Sequence, residues 1–360
     1  MVVPAVQRRK RRPSLTNVFK TSLLVWVFII LLWMREWSSL SLFPASQPNQ
    51  GIELRQGVSS AVLTPGHVKG LTPDQVFMGI KTHPGNYHTR VQSILDTYWT
   101  LAPRSIFFFT DSKSKPEVDS TGRKQRSWPL RTMEDPPLED PSRDNFNLVD
   151  SRCGGTHGTL ALKCKTAAEI QYYSHHVMES TPWFCQFDDD TFVNLPNLLN
   201  YLDEFDADSE LLYIGRRVNY KTQQKEGNKL PLRLSLAPGA AWCLSRAMVR
   251  RGCFHYENLT SIRGFSDDLS IAYIVQHILN VTMVDEPRMH THLDGQFFRS
   301  QSDMQQQLTY GFGANLPQRK KFVGPSYPGV SFIGDKGGPP EDPMGFRSLF
   351  CNLWPDKCLA

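Results

Sequence analysis

Residues 183–190 read Trp183-Phe184-Cys185-Gln186-Phe187-Asp188-Asp189-Asp190. A short, largely apolar run that stops at turn-forming acids predicts a buried strand. Three adjacent carboxylates at its end repel one another and are costly to desolvate, so packing alone does not account for them. In open α/β sheets ligands bind at the carboxyl ends of strands. A hard divalent ion takes oxygen ligands and keeps coordination positions for a diphosphate. The stretch therefore suggests a metal–diphosphate site, with a solvated acidic turn as the plainer alternative. An EF-hand loop is excluded: no Gly stands at its sixth position and no Glu at its twelfth.

Outward from this strand, the chain alternates strand and helix patterns. Val76–Ile80 reads as a first strand, followed by a Pro84-Gly85 turn and a helix carrying Val91, Ile94, Leu95 and Tyr98 on one face. Ile106–Phe109 reads as a second buried strand, and residues 113–150 as a long polar surface excursion. Helical stretches follow at Thr156–Glu179 and Pro196–Phe205, with Pro at a first-turn position. A strand is expected at Leu211–Gly215, a turn at Gly239–Ala241, and a helix closed by Gly252 as a C-cap. Ser266 is placed to cap a helix running through Leu269, Ile271, Ala272, Ile274, Val275 and Ile278, and Val281–Val284 reads as a strand. This order predicts an α/β fold with a mostly parallel sheet.

The chain of 360 residues carries 40 basic and 35 acidic side chains. Residues 1–35 hold seven of the basic ones and no acid, leaving 33 basic against 35 acidic, a net of −2. A basic nucleic-acid-binding domain is thereby excluded. Thr21–Met34 is uncharged and strongly apolar, between Lys20 and Arg35. It is shorter than the ~20 residues of a full span, but snorkelling flanks and a thin early-secretory membrane suit it. The expectation is a cytosolic tail (1–20), a signal anchor (21–34), a luminal stem (35–70) and a luminal catalytic domain (71–360), oriented by the basic N-terminus. A cleaved signal peptide is the alternative. All seven cysteines lie downstream of the span, so in an oxidising lumen three disulfides and one thiol form the simplest set. Asn258-Leu259-Thr260 and Asn280-Val281-Thr282 are N-glycosylation sequons, giving Asn258 and Asn280 as candidate sites.

Two further groups bear on chemistry. His290 and His292 are one residue apart after the expected strand, so an extended backbone points both the same way, and a neutral imidazole there can complete coordination of Mn²⁺. Ordinary polar residues at a strand end are the alternative. Asp267 and Asp268 fall in a helix's first turn, where acids interact favourably with its dipole. One of them can also serve as a general base.

In these segments the chain resembles the Fringe family of β-1,3-N-acetylglucosaminyltransferases, over roughly residues 70–358. The resemblance rests on VFMGIKT, YHTRVQSILDTYW, IFFFTDS, CGGTHGTLALKCK, WFCQFDDDTFVN, WCLSR, SDDLSIAYIV, HTHL, LTYG and FRSLFCNLWPDKC, in that order. It implies a GT-A-like nucleotide-sugar-binding fold, a UDP-GlcNAc donor and O-linked fucose on EGF-like repeats of Notch-type receptors as acceptor, in the Golgi membrane. By position it implies Asp190 and His292 as ligands of Mn²⁺, with Asp189, Arg90 and His157 at the donor and Asp268 as catalytic base. It pairs Cys153 with Cys164, Cys185 with Cys243 and Cys351 with Cys358, leaving Cys253 unpaired.

The family's Gly-Gly-Ala-Gly turn reads Pro238-Gly239-Ala240-Ala241 here, which bears on donor and acceptor preference through bulk near the site. Leu269 stands in place of a Cys found in vertebrate members. Three other readings remain to be weighed: a β-1,3-transferase of galactose or glucose, a Ca²⁺-dependent lectin, and a zinc hydrolase built on His290 and His292. The last lacks a His-Glu-x-x-His helix.

Overall fold

The computed structural model describes residues 70–111, 128–154, 158–221, 233–239, 241–252, 254–262, 264–291, 300–312, 342 and 344–358. The apolar segment 21–34, His157, His292, Ala240 and Cys253 lie outside them. Among the described residues no helix is long and apolar enough to cross a membrane.

In chain order the strands are β1 (Val76–Lys81), β2 (Ile106–Thr110), β3 (Leu130–Arg131), β4 (Leu148–Asp150), β5 (Trp183–Asp188) and β6 (Thr191–Val193). They continue with β7 (Tyr213–Gly215), β8 (Val218–Lys221), β9 (Arg233–Leu236), β10 (Trp242–Ser245), β11 (Val284–Asp285) and β12 (Thr309–Gly311). The helices are α1 (Gln92–Leu95), α2 (Thr159–His176), α3 (Leu195–Leu202) and α4 (Arg246–Arg251). After them come α5 (Tyr256–Ser261), α6 (Asp267–Tyr273), α7 (Gln301–Gln305) and α8 (Phe346–Leu353).

Eight strands form one sheet in the order β11-β7-β10-β5-β1-β2-β4-β3. All pairings are parallel except those of β10 with β5 and β7, so β10 alone runs against the rest. This large, mostly parallel sheet fits a GT-A-like fold. At its centre, every residue of β1 and of β2 is buried. That is why these strands read as continuous apolar runs: helices cover both faces of a parallel sheet. One face packs Met78, Ile80, Phe108, Cys185 and Phe187 against α1, α3 and α8. The other packs Phe77, Phe107, Phe184 and Trp242 against α2, α4 and α6. On this second face Phe77 stacks on Phe107 and Phe184, with ring centroids 4.6 and 5.6 Å away.

The three implied disulfides are present: Cys153–Cys164, Cys185–Cys243 and Cys351–Cys358. Cys185 and Cys243 are direct cross-strand partners on β5 and β10, so this bridge crosses the middle of the sheet. The unpaired thiol expected at Cys253 lies outside the described residues. Asn280 is exposed and Asn258 half-buried in α5.

Several local expectations need correcting. The polar stretch 113–150 contains β3 and β4, with Leu148 and Val149 buried against β2. The strand expected at 281–284 is reduced to Val284–Asp285, because Asn280 turns the chain with φ +54°. Gly252 follows α4 but is extended (φ −79°, ψ 149°), not left-handed. It is a glycine for a different reason: a Cβ there would fall 1.9 Å from the Phe254 ring.

Candidate active site

Parallel strands deliver their carboxyl ends to one edge, and polar residues collect there: Lys81 and Thr82 at the end of β1, Asp111 after β2, and Asp188–Asp190 at the end of β5. Asp189 and Asp190 are only 3% and 6% exposed, so the solvated acidic turn is ruled out. Thr82 Oγ1 and Asn86 Nδ2 each donate to Asp189 Oδ2 at 2.7 Å. Arg90 Nη1 donates to Asp189 Oδ1 at 2.6 Å and to Asp190 Oδ2 at 3.1 Å. Burial pushes the Arg90 guanidinium down, and the carboxylates of Asp189 and Asp190 outweigh it and hold it above its usual range.

Arg90 reaches the acids from a π-helical turn, Tyr87–Val91, that follows the 3-10 turn Pro84–Asn86. Such wide turns recur at functional sites. Of the residues singled out for the donor side, Arg90 and Asp189 therefore meet, while His157 is outside the described residues.

Protein cations neutralise part of the triplet's charge. Arg90 serves Asp189 and Asp190, and Lys81 Nζ lies 3.8 Å from Asp188 Oδ1. Lys81 also pairs with Asp267. Four carboxylates thus share two cations, leaving a formal deficit of two positive charges among these residues. That surplus of hard oxygen donors fits a divalent cation. Asp190 is one expected ligand; His292, the other, lies outside the described residues. Among the described residues no group of three or more His, Cys, Asp or Glu is arranged to hold a metal.

Both ring nitrogens of His290 are hydrogen-bonded to protein side chains. Arg216 Nη1 donates to its Nδ1 at 2.5 Å, and its Nε2 donates to Gln307 Oε1 at 2.9 Å. A zinc site on His290 would have to break one of these bonds, which argues against the zinc reading.

Across the edge, α6 presents the acidic pair. Ser266 Oγ accepts from Leu269 N and caps the helix, as expected. Asp267 points inward to Lys81 and accepts from Thr166 Oγ1 of α2 at 3.3 Å. Burial pushes the Asp267 carboxyl up, but the Lys81 ammonium outweighs it and holds it low. Asp268 is half-buried and accepts from Gly239 N at 3.2 Å. Burial, then the negative charges of Asp267 and Asp188, push its carboxyl up to about 8. The two neighbours thus separate into a fixed anion and a carboxyl that titrates near neutrality, the pattern of an acid–base assignment.

Gly239 is left-handed (φ +68°), which aims its N–H at Asp268 and disfavours a side chain. The Ala241 side chain is fully buried in the core. Lys81, Thr82 and Asn86 were not foreseen as site residues. The available signal was a Lys-Thr pair directly after an apolar strand, at the edge that also carries the acids.

Residues 71–357 match the Fringe-like family model. The chain is 29% identical over 292 residues to the zebrafish (Danio rerio) β-1,3-N-acetylglucosaminyltransferase manic fringe, covering 78% of this chain and 71% of that protein. It is 26% identical over 297 residues to lunatic fringe of Xenopus laevis, also named a β-1,3-N-acetylglucosaminyltransferase, covering 79% of this chain and 69% of that protein. The Fringe glycosyltransferase of Drosophila melanogaster matches at 26% over 294 residues, 78% of this chain and 62% of that protein. Four-fifths of the sequence thus falls within one family model, and the chain belongs to the Fringe-like family of glycosyltransferases.

Proposed function

We propose that this protein is an inverting β-1,3-N-acetylglucosaminyltransferase that moves GlcNAc from UDP-GlcNAc to O-linked fucose on EGF-like repeats of Notch-type receptors. The observation that carries the reading is the split within one edge: Asp189 and Asp190 are buried and held by Arg90, whereas Asp268 is half-buried and held by the Gly239 N–H, with its carboxyl pushed up to about 8. Asp268 takes the proton of the attacking 3-hydroxyl of fucose, and attack from the face opposite UDP inverts the anomeric centre. Gly239 N holds one Asp268 oxygen and leaves the other for the acceptor. Arg90, kept charged by Asp189 and Asp190, brings positive charge to the diphosphate side. Asp190 and His292 would hold Mn²⁺, which when bound supplies Lewis-acid neutralisation of the departing diphosphate.

The same reading makes residues 21–34 a type II signal anchor and places the catalytic domain in the Golgi lumen. The apolar, basic-flanked N-terminus supports it. The test is mass spectrometry of an O-fucosylated EGF module incubated with the purified protein, Mn²⁺ and UDP-GlcNAc, with UDP-galactose and UDP-glucose in parallel. A mass gain of one N-acetylhexosamine, with UDP-GlcNAc only, is the expected result. Transfer of hexose in its place, or no transfer, overturns the assignment.

A further inference from the structure

Lys81 touches both halves of the site. It ends β1 and is 8% exposed, and its register partner on β5 is Asp188. Its closest contact is on another element: the ammonium pairs with Asp267 Oδ2 in the first turn of α6. Burial alone would push this amine down, and Asp267 and Asp188 hold it well above its ordinary range.

The surroundings of Asp268 show what that pairing does. Facing it are Asp267 on its own helix, Lys81 from β1, Asp188 from β5 and the N–H of Gly239. Tyr213 of β7 lies within reach of its charge. On α2, Lys163 faces Asp267, and the fully buried Glu169 sits near Lys81, Asp188 and Asp267, its carboxyl pushed well up by burial. Among these groups Lys81 is the cation that acts directly on Asp268.

We propose that Lys81 is a positioning residue for sugar transfer: it locks the first turn of α6 to the end of β5 and cancels the charge of Asp267 beside Asp268. This rests on the reading of Asp268 as the base. The physical requirement is familiar, since a base must be held at a fixed place against the bond being broken. A salt bridge from the central strand to the base-bearing turn supplies that constraint without touching substrate.

The test uses the full chain and the variants Lys81→Met, Lys81→Arg, Asp267→Asn and Lys81→Met/Asp267→Asn. Each is measured for transfer rate against pH and for UDP affinity with Mn²⁺. Lys81→Met is expected to move the acid limb of kcat to higher pH. It should cost roughly ten-fold in kcat at neutral pH, since each pH unit added to a base's midpoint cuts its ionised fraction about ten-fold below that midpoint. Lys81→Arg keeps the cation and holds the limb in place. The double variant removes the cation together with the charge it cancels, and returns the limb toward its original position.

A wild-type rate and limb in Lys81→Met overturn the proposal, as does a double variant displaced as far as Lys81→Met. Should Lys81→Met not fold, the double variant decides alone: a restored limb supports the proposal and a displaced one overturns it. Asp268→Asn keeps the two ideas apart. Its retention of activity sinks the base itself, whereas its loss alongside a silent Lys81→Met sinks only the role of Lys81.

Discussion

The two halves of the carboxyl edge are built to different standards. On the β1–β5 side, Asp189 accepts three hydrogen bonds from side chains, one of them from a guanidinium, and sits almost out of solvent. On the α6 side, Asp268 has one backbone donor at 3.2 Å and remains half-buried. Charge-assisted bonds are about twice as strong as neutral ones, so the first half is a rigid cradle. The second is a carboxyl kept proton-hungry by anionic neighbours. A donor site must be pre-shaped for a diphosphate, whereas a base must be free to exchange a proton; the contrast in buttressing follows the contrast in task.

The largest way to sharpen this comparison is Asp268→Asn. Turnover should fall by roughly 10²–10⁴-fold, the usual contribution of a general base, while UDP binding, measured by calorimetry with Mn²⁺, is retained. Next is the strap between the halves: replacing both Cys185 and Cys243 by Ser should cost about 4 kcal/mol in chemical denaturation, as expected for a loop of this length. Arg90→Ala leaves Asp189 and Asp190 without their guanidinium and should cost about 2–3 kcal/mol together with most donor affinity. A variant that keeps both would break the cradle picture.

The pH dependence of stability separates the halves further. Asp268 holds its proton up to about 8 in the fold, whereas an unfolded Asp releases it near 3.9. Between those values the native state binds more protons, so without metal this group lowers stability as pH rises, by at most about 1.4 kcal/mol per pH unit. Asp268→Asn should flatten that slope and raise Tm at pH 8 but not at pH 4. Smallest is Ser266→Ala, which removes the cap of α6 and should cost about 1 kcal/mol.

What the sequence disclosed depended on how local each cause was. β1, β2 and β5 were legible because burial on both faces writes an uninterrupted apolar run. β3 and β4 were not, because a two- or three-residue strand inside a Pro-rich polar stretch carries too little pattern. The Ser266 cap was legible from its position before the acidic pair. The pairing of the cysteines, the roles of Arg90 and Asp189, and the choice of Asp268 over Asp267 came only from resemblance to a family. Arg90 lies 99 residues before Asp189 and Lys81 lies 186 before Asp267, distances at which no local rule connects charges. For that reason the triplet read as needing a metal before it could read as partly neutralised. The function of Gly252 was misread because a glycine after a helix looks the same whether it turns left or makes room for a ring.

The disulfides differ in one respect that bears on handling the protein. Cys185 and Cys243 are completely enclosed, whereas Cys351 and Cys358 are partly open to water. A mild reductant can reach the C-terminal bridge directly, but it meets the inner one only when β5 and β10 come apart. The rate at which the second pair of thiols becomes alkylatable therefore measures the opening of the sheet itself, a clock of integrity that the protein carries without any added label.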